Sequence, residues 1–141
     1  MNNKNIFLTG MLILLSLILF GCQKENKDYL IGEWAGVDKM GMKQTFIFKD
    51  GNRAEWILKS ESMTQSFEIE YKIDFNTCPV TIDLTGFEEG PLAGKALYGI
   101  IEYKSSGHFR LDVEPGDLNQ EQPVHRPLNF GEGTVTYYRQ N

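Results

Sequence analysis

The sequence is poor in residues that cross-link, ligate metals or grip phosphate. Its 141 residues include two cysteines and two histidines. Two cysteines are too few for a disulfide framework. His108 and His125 are seventeen residues apart with no cysteine beside them, so no zinc-ligand spacing is present. Basic side chains are in deficit, 14 against 19 acidic, and the formal net charge is −5. The basic residues are scattered singly, which argues against nucleic acid, because phosphate recognition needs Lys and Arg gathered on one face. Helical periodicity is missing from residue 30 onward, and there are no internal repeats, heptads or low-complexity runs that would point to a solenoid or coiled coil.

One long apolar run is present, from Ile6 to Phe20, preceded by Lys4 and interrupted by Thr9, Gly10 and Ser16. Fifteen helical residues reach roughly 22 Å, short of the roughly 30 Å core that a spanning helix crosses. A secretory signal fits that length better than an uncleaved anchor. The run ends in Leu19-Phe20-Gly21-Cys22, which resembles the lipobox of bacterial lipoproteins. The resemblance implies cleavage before Cys22 and acylation of its thiol, palmitate included, so that acyl chains rather than protein hold the chain to a membrane. Removing residues 1–21 takes away Lys4 and no acid, moving the net charge from −5 to −6. Anionic lipid would repel such a surface, which leaves the lipid as the anchor. Gln23 to Asp28 is polar throughout and reads as a tether. Its Cys-x-Lys-acid start is similar to an export signal for the outer face of the Gram-negative outer membrane. The expected organisation is a signal peptide over 1–21, a tether over 22–29 and one domain over 30–141, in the cell envelope and displayed at the outer membrane.

Alternation of apolar and polar residues dominates that domain. Phe67-Glu68-Ile69-Glu70-Tyr71-Lys72-Ile73 puts an apolar residue at every second position, as a strand with one wet face requires. The same period marks Thr45–Lys49, Arg53–Lys59, Val80–Leu84, Ala96–Tyr103, His108–Glu114 and Gly133–Arg139, with a first strand near Trp34–Val37. Asp50-Gly51-Asn52 is a hairpin turn, and Asn76–Pro79, Ser105–Gly107 and Glu114–Asp117 punctuate later strands. The spacing predicts an all-β fold, an eight-stranded antiparallel up-and-down barrel without unpaired edges, with a two-sheet sandwich as the alternative. Thr85–Lys95 and Gly116–Phe130 are the longest irregular stretches, and long loops are the natural places for function.

Gly32-Glu33-Trp34 looks like the Gly-x-Trp signature that opens lipocalins. The resemblance implies that Gly32 turns the chain under the barrel, that Trp34 plugs the closed end, and that Arg139 of the last strand packs over the indole. Thr81–Leu84, Gly90–Lys95, Gly99–Tyr103 and Arg126–Phe130 fall in the order of an uncharacterised bacterial lipocalin-like family. That likeness implies a fold and conveys no activity.

No catalytic constellation is expected. Ser105, Ser106, His108 and Asp112 are neighbours on one strand and its turn, whereas a triad converges from separate elements. Asp112 and Glu114 alternate with Phe109, Leu111 and Val113 and read as a wetted outer face, not as a glycosidase pair. Gly90–Gly94 lacks the helix of a phosphate cradle, and Cys78 reads as a buried inert thiol. No metal or cofactor is implied. The expected role is that of a lipid-anchored envelope lipoprotein whose barrel binds a small apolar ligand, with Phe46, Phe48, Trp56, Phe67, Tyr71 and Phe109 as candidate lining. The alternative is a structural or protein-interaction lipoprotein with a filled core, because an eight-stranded barrel is just wide enough for side chains or for one small ligand.

Overall fold

A computed structural model describes residues 27–118 and 125–141. The proposed signal peptide, Cys22 and the tether up to residue 26 lie outside the described residues. Among the described residues there are eight strands: β1 (Gly32–Val37), β2 (Lys43–Lys49), β3 (Arg53–Lys59), β4 (Thr64–Asp74), β5 (Val80–Thr85), β6 (Lys95–Ser105), β7 (His108–Asp117) and β8 (Val135–Arg139). Each pairs antiparallel with its sequence neighbours, and β8 returns to β1 to close the barrel. The fold is therefore the up-and-down barrel that the alternation predicts, not the sandwich. In β4 the alternation is visible directly, with Ile69 and Tyr71 buried between exposed Glu68, Glu70 and Lys72.

The closing seam pairs Trp34 with Arg139 and Gly36 with Tyr137. A Cβ at Gly36 would lie 2.6 Å from the Thr136 carbonyl oxygen and 2.9 Å from Val135 Cγ1. The two strands can approach this closely because nothing projects from that position. At the adjoining end of the barrel, Trp34 Nε1 donates to the Leu30 carbonyl at 2.7 Å. The Arg139 guanidinium carbon lies 4.1 Å from the Trp34 ring centroid, and Arg139 donates to the Ile31 and Tyr29 carbonyls at 3.1 and 2.5 Å. Gly32 has φ of +125°, and a Cβ there would sit 2.8 Å from Arg139 Nη1. Gly32, Trp34 and Arg139 thus form one plug, a cation held over an indole that is itself hydrogen-bonded and fully buried.

Two strand ends depart from the sequence reading. β7 runs through Pro115 to Asp117, where a turn is expected, and pairs with β6 as far as Lys95. The cause is the shortness of β8, which pairs with β7 only over His108–Leu111. Beyond Leu111 one side of β7 is an edge, where the missing proline N–H costs no ladder bond. β8 correspondingly begins at Val135 rather than Gly133.

The second departure is a strap. Ala96 through Ile101 of β6 are all buried, on both faces of the sheet. Inward-pointing Leu97 and Ile101 belong to the core, whereas Tyr98 and Ile100 are buried outside it, with the Arg126 guanidinium over the Tyr98 ring at 5.6 Å. Arg126 fixes the strap, donating to Asp83 Oδ1 at 2.6 Å, to the Gly99 carbonyl at 2.6 Å and to the Ile82 carbonyl at 3.2 Å. Pro127 is buried against the sheet, and the Phe130 ring lies 4.0 Å from the Arg110 guanidinium. This corrects the reading of Asp112 as wetted: it is 6% exposed, and its Oδ2 accepts from Gly131 N at 2.9 Å and Thr134 Oγ1 at 2.8 Å. Glu114, two residues on, is exposed. Cys78 is also corrected, since it is an exposed free thiol. It sits in the turn between β4 and β5, and the first inward position after that turn is Val80.

Candidate functional site

The half of the barrel next to the Trp34 plug is filled. Trp34 meets Phe109 at 4.9 Å between ring centroids, Phe48 meets Tyr71 at 5.0 Å, Phe109 meets Tyr137 at 5.1 Å, and Phe46 meets Phe48 at 5.3 Å. Separations of 4.5–7 Å are those of packed aromatic pairs, which leave no chamber between them.

The opposite end is open. There the β1–β2 turn, the 3-10 turn Gly90–Leu92 and the strap surround a cleft of about 330 Å³. Its walls are largely aliphatic, with Leu97 from β6, Leu111 and Val113 from β7, Val135 from β8 and Leu92 from the loop. Trp56 of β3 lines the cleft as well. On the strands, alternation aims these side chains inward, and the packed rings toward the plug limit how deep a molecule can go.

Two polar features stand in this apolar setting. The first is a chain of hydrogen bonds: Tyr137 donates from its hydroxyl to Gln44 Oε1 at 2.7 Å, and Gln44 donates from Nε2 to Asp38 Oδ2 at 3.2 Å. Asp38 Oδ1 in turn accepts from the Met40 and Met42 amides, both at 2.9 Å, which shapes the β1–β2 turn. Burial, and secondarily the negative charge of Asp38, pushes the Tyr137 hydroxyl far above its ordinary pKa, so it stays a neutral donor. The second feature is Trp56 Nε1, which is closed off from solvent and finds no acceptor among the described residues. Three other aromatic side chains have partners: Trp34 donates to the Leu30 carbonyl, Tyr98 to the Asp117 carbonyl and Tyr71 to the Lys49 carbonyl. A buried donor left without an acceptor costs about 1–3 kcal/mol.

At the rim, Lys39 and Glu132 face each other at 3.9 Å from the β1–β2 turn and the strap. Both side chains are exposed, so the pair contributes little stability. A second depression, of about 550 Å³, lies outside the barrel between β7 and the strap. Of its polar side chains, Arg126 is engaged on Asp83, and Asp112 on Gly131 and Thr134. Among the described residues, no group of three His, Cys, Asp or Glu side chains is placed to hold a metal ion. His108 instead meets Ser105 Oγ at 2.9 Å within the β6–β7 turn and stacks on Tyr138.

Of the six aromatic residues singled out in the sequence as ligand lining, Trp56 reaches the cleft. Phe46, Phe48, Tyr71 and Phe109 lie in the ring-packed half, and Phe67 is half-buried at 5.9 Å from the Trp56 ring. The sequence reading missed Leu92, Leu97, Gln44 and Tyr137 at the cleft, and it missed Phe87. That residue folds inward from the 85–95 loop and meets the Trp56 ring at 6.1 Å. Leu97 and Tyr137 carried a usable signal, since both are in phase with inward neighbours on their strands. Phe87 and Leu92 carried none, because a loop has no period. Comparison with known proteins found no matching family model, no matching curated protein and no matching solved structure.

Proposed function

We propose that this protein is a lipid-anchored lipoprotein of the cell envelope whose barrel binds one small apolar molecule in the cleft at its open end. The cleft itself carries the reading. Its 330 Å³ lies at the lower end of the roughly 300–1,000 Å³ range of small-molecule sites, and its aliphatic walls with few polar groups fit that class. Acyl chains on Cys22, as the lipobox resemblance implies, would hold the domain at the outer membrane, where it meets such molecules without crossing the bilayer. No chemistry beyond binding is needed, and the protein is read as a binder rather than an enzyme.

Binding is tested by quenching of Trp56 fluorescence with short apolar probes, read against a Trp34→Phe variant so that the signal belongs to the cleft. Absence of saturable quenching would refute it. The filled-core alternative, an envelope protein with a protein partner and no ligand, is favoured by the ring packing below the cleft. It would be supported if no probe binds and an envelope protein cross-links to the 85–95 loop. The anchor is tested by Cys22→Ser: the variant should lose palmitate labelling and membrane partitioning together, and retention of partitioning would refute lipid anchoring.

A further inference from the structure

We infer that the cleft takes an extended peptide, laid along the free edge of β7 where β8 stops short. The inference keeps the cleft as the binding site and goes beyond the small-ligand reading in naming the occupant. Its basis is a gap in the barrel wall. β6 and β7 stay paired as far as Lys95 and Asp117, whereas β8 accompanies β7 only over His108–Leu111. In an antiparallel ladder, alternate residues turn both backbone groups toward the same neighbouring strand. The Gly107 carbonyl accepts from Arg139 N at 2.9 Å, so the odd-numbered residues of this stretch face β8. Past Leu111 they include Val113 and Pro115. The Val113 N–H and the Val113 and Pro115 carbonyls find no backbone partner among the described residues. Glu114, Pro115 and Asp117 are exposed and Val113 is half-buried, so this edge lies open.

The apolar cleft and the outer depression meet at the gap, sharing Val113, Glu132 and Gly133 in their walls. Val113 and Pro115 both line the cleft. A strand added antiparallel beside them would drop the side chains opposite these two residues into the cleft and turn the one opposite Glu114 outward. At roughly 30 Å³ for each non-hydrogen atom, the share a water takes in the liquid, 330 Å³ holds about ten such atoms, room for two leucine side chains. Charge selects the outward residue. Around the gap Asp38, Glu114 and Glu132 stand against Lys39, which faces Glu132, and Arg126, which Asp83 holds. Directly across from Glu114 a basic side chain is attracted and an acidic one repelled.

The probe is acetyl-Leu-Lys-Leu-amide, titrated into the isotope-labelled full chain in lipid nanodiscs and followed by its amide resonances. Binding should shift the Val113 amide and slow its hydrogen exchange about tenfold, leaving exchange at Glu114, whose amide faces β6, unchanged. N-methylation of the second leucine removes the N–H that the Val113 carbonyl would accept, and should weaken binding about tenfold, the worth of one hydrogen bond. N-methylation of the lysine, whose N–H points away from β7, should change binding by less than about twofold. Acetyl-Leu-Glu-Leu-amide should bind about fivefold more weakly than the lysine peptide, and Glu114→Lys should reverse that order. All readouts but the last use the wild-type protein, so the matter is decided even if the variant fails to fold.

Equal weakening by the two methyl groups, or an unprotected Val113 amide at saturation, overturns strand addition while leaving an apolar binding cleft. Tighter binding of the glutamate peptide overturns the basic-residue condition. If no peptide binds while the short apolar probes quench Trp56, this inference falls and the small-ligand reading stands. If the peptide binds and no apolar probe does, the small-ligand reading falls and this inference stands.

Discussion

Arg126 should be worth more to this fold than any other charged residue of the strap. Its guanidinium makes a 2.6 Å bond to Asp83 and bonds of 2.6 and 3.2 Å to the carbonyls of Gly99 and Ile82. The Arg126 and Asp83 side chains are 19% and 30% exposed, so the pair is partly shielded from water without being sealed. Hydrogen bonds to charged groups contribute about 1.5–3 kcal/mol each when buried. Residual solvent access and the entropy of holding a long side chain reduce the sum, and Arg126→Met should destabilise the barrel by about 2–4 kcal/mol. For a domain of this size that is a fall in Tm of roughly 8–16 °C at about 4 °C per kcal/mol. Arg126→Lys, which keeps the charge and loses the planar fork, should cost roughly half as much. Urea titration followed by far-ultraviolet circular dichroism measures each variant. Combining Arg126→Met with Asp83→Asn should cost clearly less than the two separately, since they remove one shared bond. Hydrogen exchange at Gly131, whose amide is held by Asp112, should quicken selectively as the strap lifts. A loss under about 1 kcal/mol, or strict additivity with Asp83→Asn, would refute the view that this residue pins the strap.

Gly36→Ala should cost about 1–3 kcal/mol by driving a Cβ into the Thr136 carbonyl and Val135, with the loss of amide protection concentrated where β1 meets β8. In alkaline titration followed at 295 nm, Tyr137 should ionise only with unfolding and Tyr71 late. Burial raises both, aided at Tyr71 by Asp50 and Asp28 and at Tyr137 by Asp38. Because the folded pKa values exceed the unfolded one near 10, this contribution is complete below about pH 10 and is lost as pH rises through the folded values. At the acid side, burial raises the Glu102 carboxyl but is outweighed by Lys104 and Arg110, which hold it below the usual range. Its contribution is therefore present above about pH 4.5 and fades as pH falls through the lowered value. Since its side chain is 39% exposed, Glu102→Gln should cost less than about 1 kcal/mol at pH 7, and the gap to wild type in urea titrations should narrow as pH falls below the ordinary carboxylate range.

Strand placement and barrel closure were legible because a sheet with one wet face writes a period of two into the chain. β4 shows it residue by residue, and the turn at Gly51 and Asn52, both at positive φ, is the one that Asp50-Gly51-Asn52 predicts. Alternation says which side chains point inward. It does not say which outward positions a later segment will cover, so Asp112 read as wet although the strap buries it. Nor does it show where a proline falls on an unpaired edge, which is why Pro115 read as a turn. The candidate site was legible in part. Trp56 was visible as an inward aromatic, but only the folded barrel decided that its neighbours fill one half and leave a cleft in the other. Strand direction is a local property of neighbouring residues. The volume left between converging side chains depends on positions as far apart as Gln44 and Tyr137, which meet only once the barrel has closed.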